Sequence, residues 1–246
     1  MSRLYTNIQE TAKSLKMIGL GDPSLLVIYW GEDGSGLFSG LEKLCALADL
    51  PHCPNKGRLL AGKGSIVLED APTFHEGFSM ESLGQLPRAL SLMGLTRVVL
   101  LGPVKMLDTT RESEALVLVS DHLNLTGDSP LVGPNDARLG KRFPDMGEAW
   151  SRHLRGQVKM EIDGLGEGVL AGLSGPGLET PAQLAYLRKI GADMADWRFL
   201  PENQAAVHAG LEVLGLGLPR SDEGAKAPSS ETMELLRRVI GVVKSC

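Results

Sequence analysis

The sequence predicts an α/β protein in which helices cover a largely buried β-sheet. Two observations indicate this class. Short runs rich in Val, Leu and Ile recur along the chain, as is typical of strands that are apolar on both faces. Segments with helical periodicity lie between several of these runs, and such alternation is typical of a sheet with covering helices.

The predicted elements follow one another along the chain. The strands are LLVIYW (25–30), SIVLED (65–70), VVLLG (98–102), ALVLVS (115–120), VLAGLSG (169–175) and EVLGLGL (212–218). The helices cover residues 36–47, about 80–94, 179–190, 201–209 and 230–244. Thr180 before Pro181 is a typical helix start, and Pro201 begins another helix that Gly210 ends.

The composition limits the classes of function. At 246 residues the chain is expected to form one domain, residues 1–246, and its net charge of −5 argues against a nucleic-acid or membrane-surface partner. Its three cysteines lack C-x-x-C spacing, which indicates a reducing cytoplasm and neither disulfides nor a metal site. No segment has the apolar core of a signal peptide or the length of a membrane span. A small-molecule partner is therefore expected.

Three short stretches carry candidate chemistry. GEDGSGLFSG (31–40) follows the first strand, so its glycine turn before a predicted helix is either an anion cradle or a plain structural turn. Glu179, in SGPGLET (174–180), either caps a helix or faces a ligand at the end of a strand. In DAPTFHEGF (70–78), His75 and Glu76 are either a catalytic pair or two polar residues at a strand end. On a strand they would point to opposite faces, so a shared site requires the chain to turn there.

Several motifs occur in the order found in one family. They are DGSGL (33–37), HEGF (75–78), SDHLNL (120–125), PLVGPND (130–136), KRFPDM (141–146), SGPGLET (174–180), KIGAD (189–193) and LPENQAAVHAGLEVLG (200–215). With these motifs the chain resembles the trimeric purine nucleoside phosphorylases, which include the methylthioadenosine phosphorylases.

The resemblance implies a fold and a reaction. The fold would be the nucleoside phosphorylase fold, a mixed, barrel-like central sheet surrounded by helices, assembled as a homotrimer. The reaction would be phosphorolysis of a purine nucleoside to free base and pentose 1-phosphate, as in purine salvage, with inorganic phosphate as co-substrate and no cofactor. The chemistry requires a held phosphate anion and stabilisation of charge on the departing purine.

Four residues match functional positions of the family. The resemblance assigns Ser35 to phosphate, Glu179 to the purine, and Phe143 to the sugar pocket of a neighbouring subunit. Glu76 matches the motif glutamate that precedes a glycine.

Other positions depart from the family. Ala71 and Thr73 stand where the motif GRFHxYEG has its phosphate arginine and histidine, and His75 replaces a ribose-contacting tyrosine. The remaining departures are Asn55, the stretch LGPVKM (101–106), Leu178 in the purine pocket, Ser221 in place of a purine-contacting asparagine, and Ser229. Losing a phosphate arginine removes both charge and bidentate geometry, so the phosphate site is expected to be degenerate.

Three functions stay open at this point. The chain is a divergent phosphorylase, a phosphate-independent nucleoside hydrolase, or a catalytically silent homologue that binds a purine-like ligand. Arg198, Lys105 and Arg220 either rebuild an anion site or are surface charges. Trp197, beside Arg198, either fills the sugar pocket or stacks on a ligand.

Overall fold

The computed structural model describes residues 2–31, 36–111, 115–175, 177, 179–220 and 228–246. The strands in these ranges are β1 (Leu25–Tyr29), β2 (Glu42–Ala46), β3 (Arg58–Gly62), β4 (Ser65–Glu69), β5 (Arg97–Met106), β6 (Val117–Asn124), β7 (Gly166–Gly172), β8 (Met194–Asp196) and β9 (Glu212–Pro219). The helices are α1 (Arg3–Met17), α2 (Met80–Leu83), α3 (Gln85–Ser91), α4 (Arg152–Glu161), α5 (Pro181–Lys189), α6 (Leu200–His208) and α7 (Ser230–Ser245).

The described strands form one mixed sheet in the order β2-β3-β4-β1-β5-β8-β7-β6-β9. Strand β9 also pairs in parallel with β5, so β5, β8, β7, β6 and β9 close into a five-stranded barrel. The pairs β1–β4 and β1–β5 are parallel, whereas β5–β8 is antiparallel. The expected mixed, barrel-like sheet is thereby confirmed.

The core lies on both faces of this sheet. All five residues of β1 are buried, as expected for a run that is apolar throughout. One apolar cluster joins β1 and β5 to helices α1, α3 and α6, and a second joins the opposite faces of the same strands to α4 and α7. The helices therefore surround the sheet, as predicted. No described helix is long and apolar enough to cross a membrane.

The six predicted strands are present, with ends shifted by a few residues, and so are four of the five predicted helices. The fifth, residues 36–47, is wrong: this segment contains β2 and the start of a 3₁₀ helix at Leu47–Asp49. It is extended because β2 pairs antiparallel with β3, and this pairing overrides the helical periodicity. Residues 32–35 of the predicted glycine turn lie outside the described residues, and the next described element after it is β2 rather than a helix.

The predicted helix near 80–94 is divided at Gly84 into α2 and α3. A Cβ atom at Gly84 would lie 2.6 Å from the Cβ of Ala205 on α6, so the chain approaches that helix closely. The sequence-based predictions omitted five elements altogether, namely α1, α4, β2, β3 and β8.

Strand order brings distant parts of the chain to one region. Gly172 at the end of β7 pairs with Asp196 at the end of β8, and Lys105 on β5 pairs with Ala195 on β8. The backbone N–H of Arg220, directly after β9, donates to the carbonyl of Val104 on β5. The ends of β5, β7, β8 and β9 thus meet.

Candidate functional site

The stretch DAPTFHEGF forms a turn after β4. Residues Phe74–Glu76 make one turn of 3₁₀ helix, with Thr73 as its N-cap and Gly77 in the left-handed conformation at φ 92°. Thr73 and Glu76 form a capping box, in which the Glu76 carboxylate accepts from the Thr73 backbone N–H at 2.9 Å. His75 and Glu76 therefore lie on a turn rather than on a strand.

Four side chains of this region form a hydrogen-bonded group, the Glu76 cluster: Lys56, Thr73, His75 and Glu76. The Lys56 ammonium donates to Glu76 Oε1 at 2.6 Å, and the Thr73 hydroxyl lies 2.8 Å from Glu76 Oε2. Thr73 Oγ1 also lies 2.9 Å from His75 Nδ1. His75 and Glu76 thus act on each other through Thr73.

Charge and burial shift the pKa values of Glu76 and His75, and although partial burial lowers that of Lys56, hydrogen bonds to carboxylates raise it overall. Partial burial raises the pKa of Glu76, but the hydrogen bonds from Lys56 and Thr73 outweigh it and lower the pKa overall. Partial burial lowers the pKa of His75, and the positive charges of Arg198 and Lys56 lower it further, against the opposing effect of Glu76. Near neutral pH the cluster therefore contains a carboxylate and a neutral imidazole.

A second group of charges surrounds Glu179 and is called the Glu179 cluster: Glu179, Lys105 and Arg220. Arg220 Nη2 donates to Glu179 Oε1 at 2.5 Å, and Lys105 Nζ lies 3.9 Å from Glu179 Oε2. Both carboxylate oxygens therefore face a cation. Glu179 does not cap α5, because Thr180 is the N-cap residue of that helix.

Trp197 connects the two clusters. Its ring centroid lies 5.6 Å from that of His75 in an edge-on arrangement, and the guanidinium carbon of Arg220 lies 5.1 Å from the Trp197 ring. Arg198 also lies against this ring, at 4.8 Å. Cation–π attraction holds both arginines against the indole.

Asp196 fixes the position of Arg198. The fully buried Asp196 carboxylate accepts from the Arg198 backbone N–H at 2.8 Å and from its Nη1 at 2.6 Å. Burial raises the pKa of Asp196 to about 6, although the nearby Arg198 opposes this shift.

A cavity of about 150 Å³ lies beside the Glu76 cluster. Its lining residues are Trp30, Lys56, Asp70, Ala71, Thr73, His75, Glu76 and Arg198. Ligand pockets for drug-sized molecules usually measure about 300–1,000 Å³. This cavity therefore suits a small anion or a few water molecules better than a whole nucleoside.

The structure brings together five of the predicted site residues, namely His75, Glu76, Glu179, Trp197 and Arg198. Phe143 lies apart from them in the segment after β6, with 85% of its surface exposed and Arg142 as its cation–π neighbour. Ser35, Leu178 and Ser221 lie outside the described residues.

The three cations proposed to rebuild an anion site are not surface charges. The side chains of Lys105, Arg198 and Arg220 are only 13–15% exposed. They do not converge on one shared position, because Arg198 pairs with Asp196 while the other two pair with Glu179.

Sequence reasoning did not identify Lys56, Asp70 or Asp196 as neighbours of the site. The only available signal for Asp196 was its place directly before Trp197 and Arg198. Lys56 is 20 residues from Glu76 in the sequence and directly follows Asn55, one of the positions that depart from the family. Within the described ranges, no group of three or more His, Cys, Asp or Glu side chains could hold a metal ion.

Comparison with known proteins shows the family of this chain. The sequence profile described as the phosphorylase superfamily matches residues 43–241, so the chain belongs to that superfamily. Within it, the chain is similar to purine nucleoside phosphorylases, which confirms the resemblance noted in the sequence. Purine nucleoside phosphorylase 1 of Geobacillus stearothermophilus is 34% identical over 230 residues, covering 86% of this chain and 82% of that relative. The Bos taurus purine nucleoside phosphorylase is 31% identical over 238 residues, covering 87% and 81%.

Solved structures show the same fold. Isoform 2 of the Schistosoma mansoni purine nucleoside phosphorylase, in complex with cytosine and ribose-1-phosphate, superposes with a TM-score of 0.85 and 23% identity, covering 98% of this chain and 96% of that one. A Schistosoma purine nucleoside phosphorylase in complex with guanosine gives a TM-score of 0.81 and 24% identity, covering 97% and 96%. At this identity the likeness concerns the fold.

Proposed function

We propose that this protein is a purine nucleoside phosphorylase, which cleaves the N-glycosidic bond of a purine nucleoside with inorganic phosphate. The products are the free base and a pentose 1-phosphate, and the reaction belongs to purine salvage in the cytoplasm. The family supports this activity, since relatives of 31–34% identity that align over most of their length carry this name.

The observation that carries the proposal is the chain of contacts from Glu179 through Arg220 and Trp197 to His75. These contacts link Glu179, which matches the family's purine glutamate, through one aromatic ring to His75, in the stretch that corresponds to the family's phosphate motif. Glycosidic cleavage needs such an arrangement, because the purine leaves in one direction while the nucleophile approaches from another.

The Glu179 cluster is proposed to bind the purine. A carboxylate held between two cations is fixed in place, so it accepts a hydrogen bond from a ring N–H without reorganising. Leu178 and Ser221 are proposed to complete this pocket, and Trp197 is proposed to line the sugar pocket.

The small cavity is proposed to hold the nucleophile, with Ser35 as a further phosphate contact. This phosphate site is degenerate relative to the family, because Ala71 and Thr73 supply no cationic group. Removing one preorganised electrostatic contact costs roughly 100- to 1,000-fold in rate. Slow turnover and a high KM for phosphate are therefore expected.

A homotrimer is also proposed, in which Phe143 of one subunit reaches the sugar pocket of the next. The exposure of Phe143, together with that of Val132 in the same segment at 74%, supports a contact surface there. Light scattering should give three times the mass of the 26.3 kDa chain, and a monomer would contradict this part of the proposal.

The activity is tested by incubating the protein with inosine, guanosine, adenosine or methylthioadenosine, with and without phosphate. Release of base should require phosphate, and pentose 1-phosphate should form in equal amount. Release of base without phosphate would identify a hydrolase instead. No release from any substrate would refute the proposed activity.

A further inference from the structure

The hydrogen bonds of the Glu76 cluster determine which nitrogen of His75 carries the proton. An ionised carboxylate only accepts hydrogen bonds, so the single hydrogen of the Thr73 hydroxyl points to Glu76 Oε2 at 2.8 Å. Thr73 Oγ1 must then accept from His75 Nδ1 at 2.9 Å. The neutral imidazole is therefore protonated on Nδ1 and has a lone pair on Nε2.

That lone pair is available at the cavity. His75 lines the cavity, and its Nε2 atom has no hydrogen-bond partner among the described residues. The edge-on contact with Trp197 fixes one side of the ring. A held imidazole with a free basic nitrogen is the arrangement that a general base requires.

The charges around the cavity favour a nucleophile that brings its own proton. Lys56 and Arg198 contribute two positive charges, and Asp70 and Glu76 contribute two negative ones. Asp196, directly behind Arg198, adds a further carboxylate. A phosphate dianion would meet no excess of positive charge here, whereas the monoanion carries less charge and donates a hydrogen bond to a neutral base.

We propose that His75 is a catalytic residue of this chain, and that its Nε2 atom accepts a proton from a phosphate monoanion bound in the cavity. This inference rests on the proposed phosphorolysis. Thr73 and Glu76 are positioning residues, since they act by fixing the His75 tautomer.

In the proposed step, the bond from C1′ of the sugar to N9 breaks and its electron pair moves to the purine. A lone pair on one phosphate oxygen forms the new bond to C1′. The proton on a second phosphate oxygen moves to His75 Nε2, which leaves the pentose 1-phosphate as a monoanion. The purine anion then takes a proton from water, and the imidazolium returns one to water.

Kinetics of His75→Gln test the catalytic role, with His153→Gln on the exposed face of α4 as the matched control. General-base catalysis contributes roughly 100- to 10,000-fold, so kcat/KM for phosphate should fall by about 100-fold or more in His75→Gln and stay unchanged in His153→Gln. In the wild type, kcat/KM should fall as the pH drops through the pKa of His75, which lies below the ordinary value of 6.5. His75→Gln should lack this decline.

If the wild type is active and His75→Gln has the same rate or the same pH profile, the inference is overturned and the proposed function stays intact. Base release that needs no phosphate but is abolished in His75→Gln would overturn phosphate as the nucleophile. No wild-type turnover at all would refute the proposed function.

An NMR measurement decides the inference even without turnover. Long-range ¹H–¹⁵N correlation of the imidazoles, assigned by comparison with His75→Gln, should show His75 protonated on Nδ1. Adding inorganic phosphate should then shift the Nε2 resonance of His75 and leave that of His153 in place. The opposite tautomer, or an Nε2 resonance that phosphate does not move, would overturn the inference.

Discussion

The Glu179 cluster and the Glu76 cluster each hold one carboxylate, but in different ways. Glu179 meets two cations, Lys105 on β5 and Arg220 directly after β9, which are 74 and 41 residues away in the sequence. Glu76 meets one distant cation, Lys56, and otherwise bonds to Thr73 three residues earlier. The first cluster fixes a charge, whereas the second fixes the proton on a neighbouring imidazole.

This difference indicates a division of work between the clusters. A carboxylate between two cations is suited to recognising a polar ligand, while a carboxylate that acts through a hydroxyl on a histidine is suited to proton transfer. Under the proposed function, Glu179 keeps the family's residue for the first task, whereas Thr73 and His75 differ from the family's residues at the positions proposed for the second. The following substitutions test this division, from the largest expected effect to the smallest.

Glu179→Gln should have the largest effect. It keeps the shape of the side chain but removes the charge that faces Arg220 and Lys105. The kcat/KM for the nucleoside should fall roughly 100- to 1,000-fold, as for loss of one preorganised electrostatic contact. Steady-state kinetics with varied nucleoside measure this effect. Glu148→Gln, in an exposed ion pair with Arg152, is the matched control, and equal rates in both variants would refute the role of Glu179.

Asp196→Asn tests the carboxylate that holds Arg198 in position. The measurement is the dependence of folding stability on pH. Asp196 has a folded-state pKa of about 6, above its ordinary value of 3.8, so the folded protein binds the extra proton. This contribution to stability is complete below the unfolded pKa and is lost as the pH rises through about 6.

Titration of Asp196 should therefore lower the free energy of unfolding by ~3 kcal/mol across this window. Urea unfolding at a series of pH values measures the decline. Asp196→Asn should remove the part of the decline that Asp196 causes, while Glu202, whose pKa burial raises to about 8, contributes to the decline in both proteins. The same slope in both proteins would show that Asp196 is not the titrating group.

Thr73→Val tests the Glu76 cluster by removing the hydroxyl between Glu76 and His75. Hydrogen bonds to charged groups are worth about 1.5–3 kcal/mol, so kcat/KM for phosphate should fall by ~10- to 100-fold. Thr73→Ser retains the hydroxyl and should restore most of the rate, which separates this effect from a loss of folding. A Thr73→Ser variant as slow as Thr73→Val would argue against the hydroxyl bridge.

Trp197→Phe should have the smallest effect on the kinetics, and it should affect binding at both clusters. Phenylalanine keeps an aromatic face but is a weaker cation–π partner than tryptophan, and such contacts are worth about 0.5–1 kcal/mol. The KM values for nucleoside and for phosphate should both rise a few-fold in initial-rate measurements. A change in only one of them would show that Trp197 does not connect the two clusters.

Much of the fold could be predicted from the sequence, because the buried strands are apolar on both faces. The run 25–30 is one example, and all of β1 within it is buried. The elements that could not be predicted have weak local signals. Strand β8 has three residues, and α1 buries only Ile8, Thr11, Ala12 and Leu15. Strand β2 forms through its pairing with β3, a long-range effect that helical periodicity cannot report.

The candidate site was predictable where its contacts are local. The turn that His75 and Glu76 need in order to share a site depends on the adjacent Gly77, which takes the left-handed conformation that glycine adopts most readily. The partners of Glu179 were not predictable as such. Lys105 and Arg220 reach it only because β5 and β9 pair in parallel across the closure of the barrel.

The division of work between the two clusters is tested most directly by two-substrate kinetics on Glu179→Gln and His75→Gln together. The account predicts that Glu179→Gln mainly raises the KM for the nucleoside. It predicts that His75→Gln mainly lowers kcat and kcat/KM for phosphate, with loss of the acidic limb of the pH profile. If both variants lose kcat/KM for the nucleoside and kcat/KM for phosphate by the same factor, the division of work is contradicted.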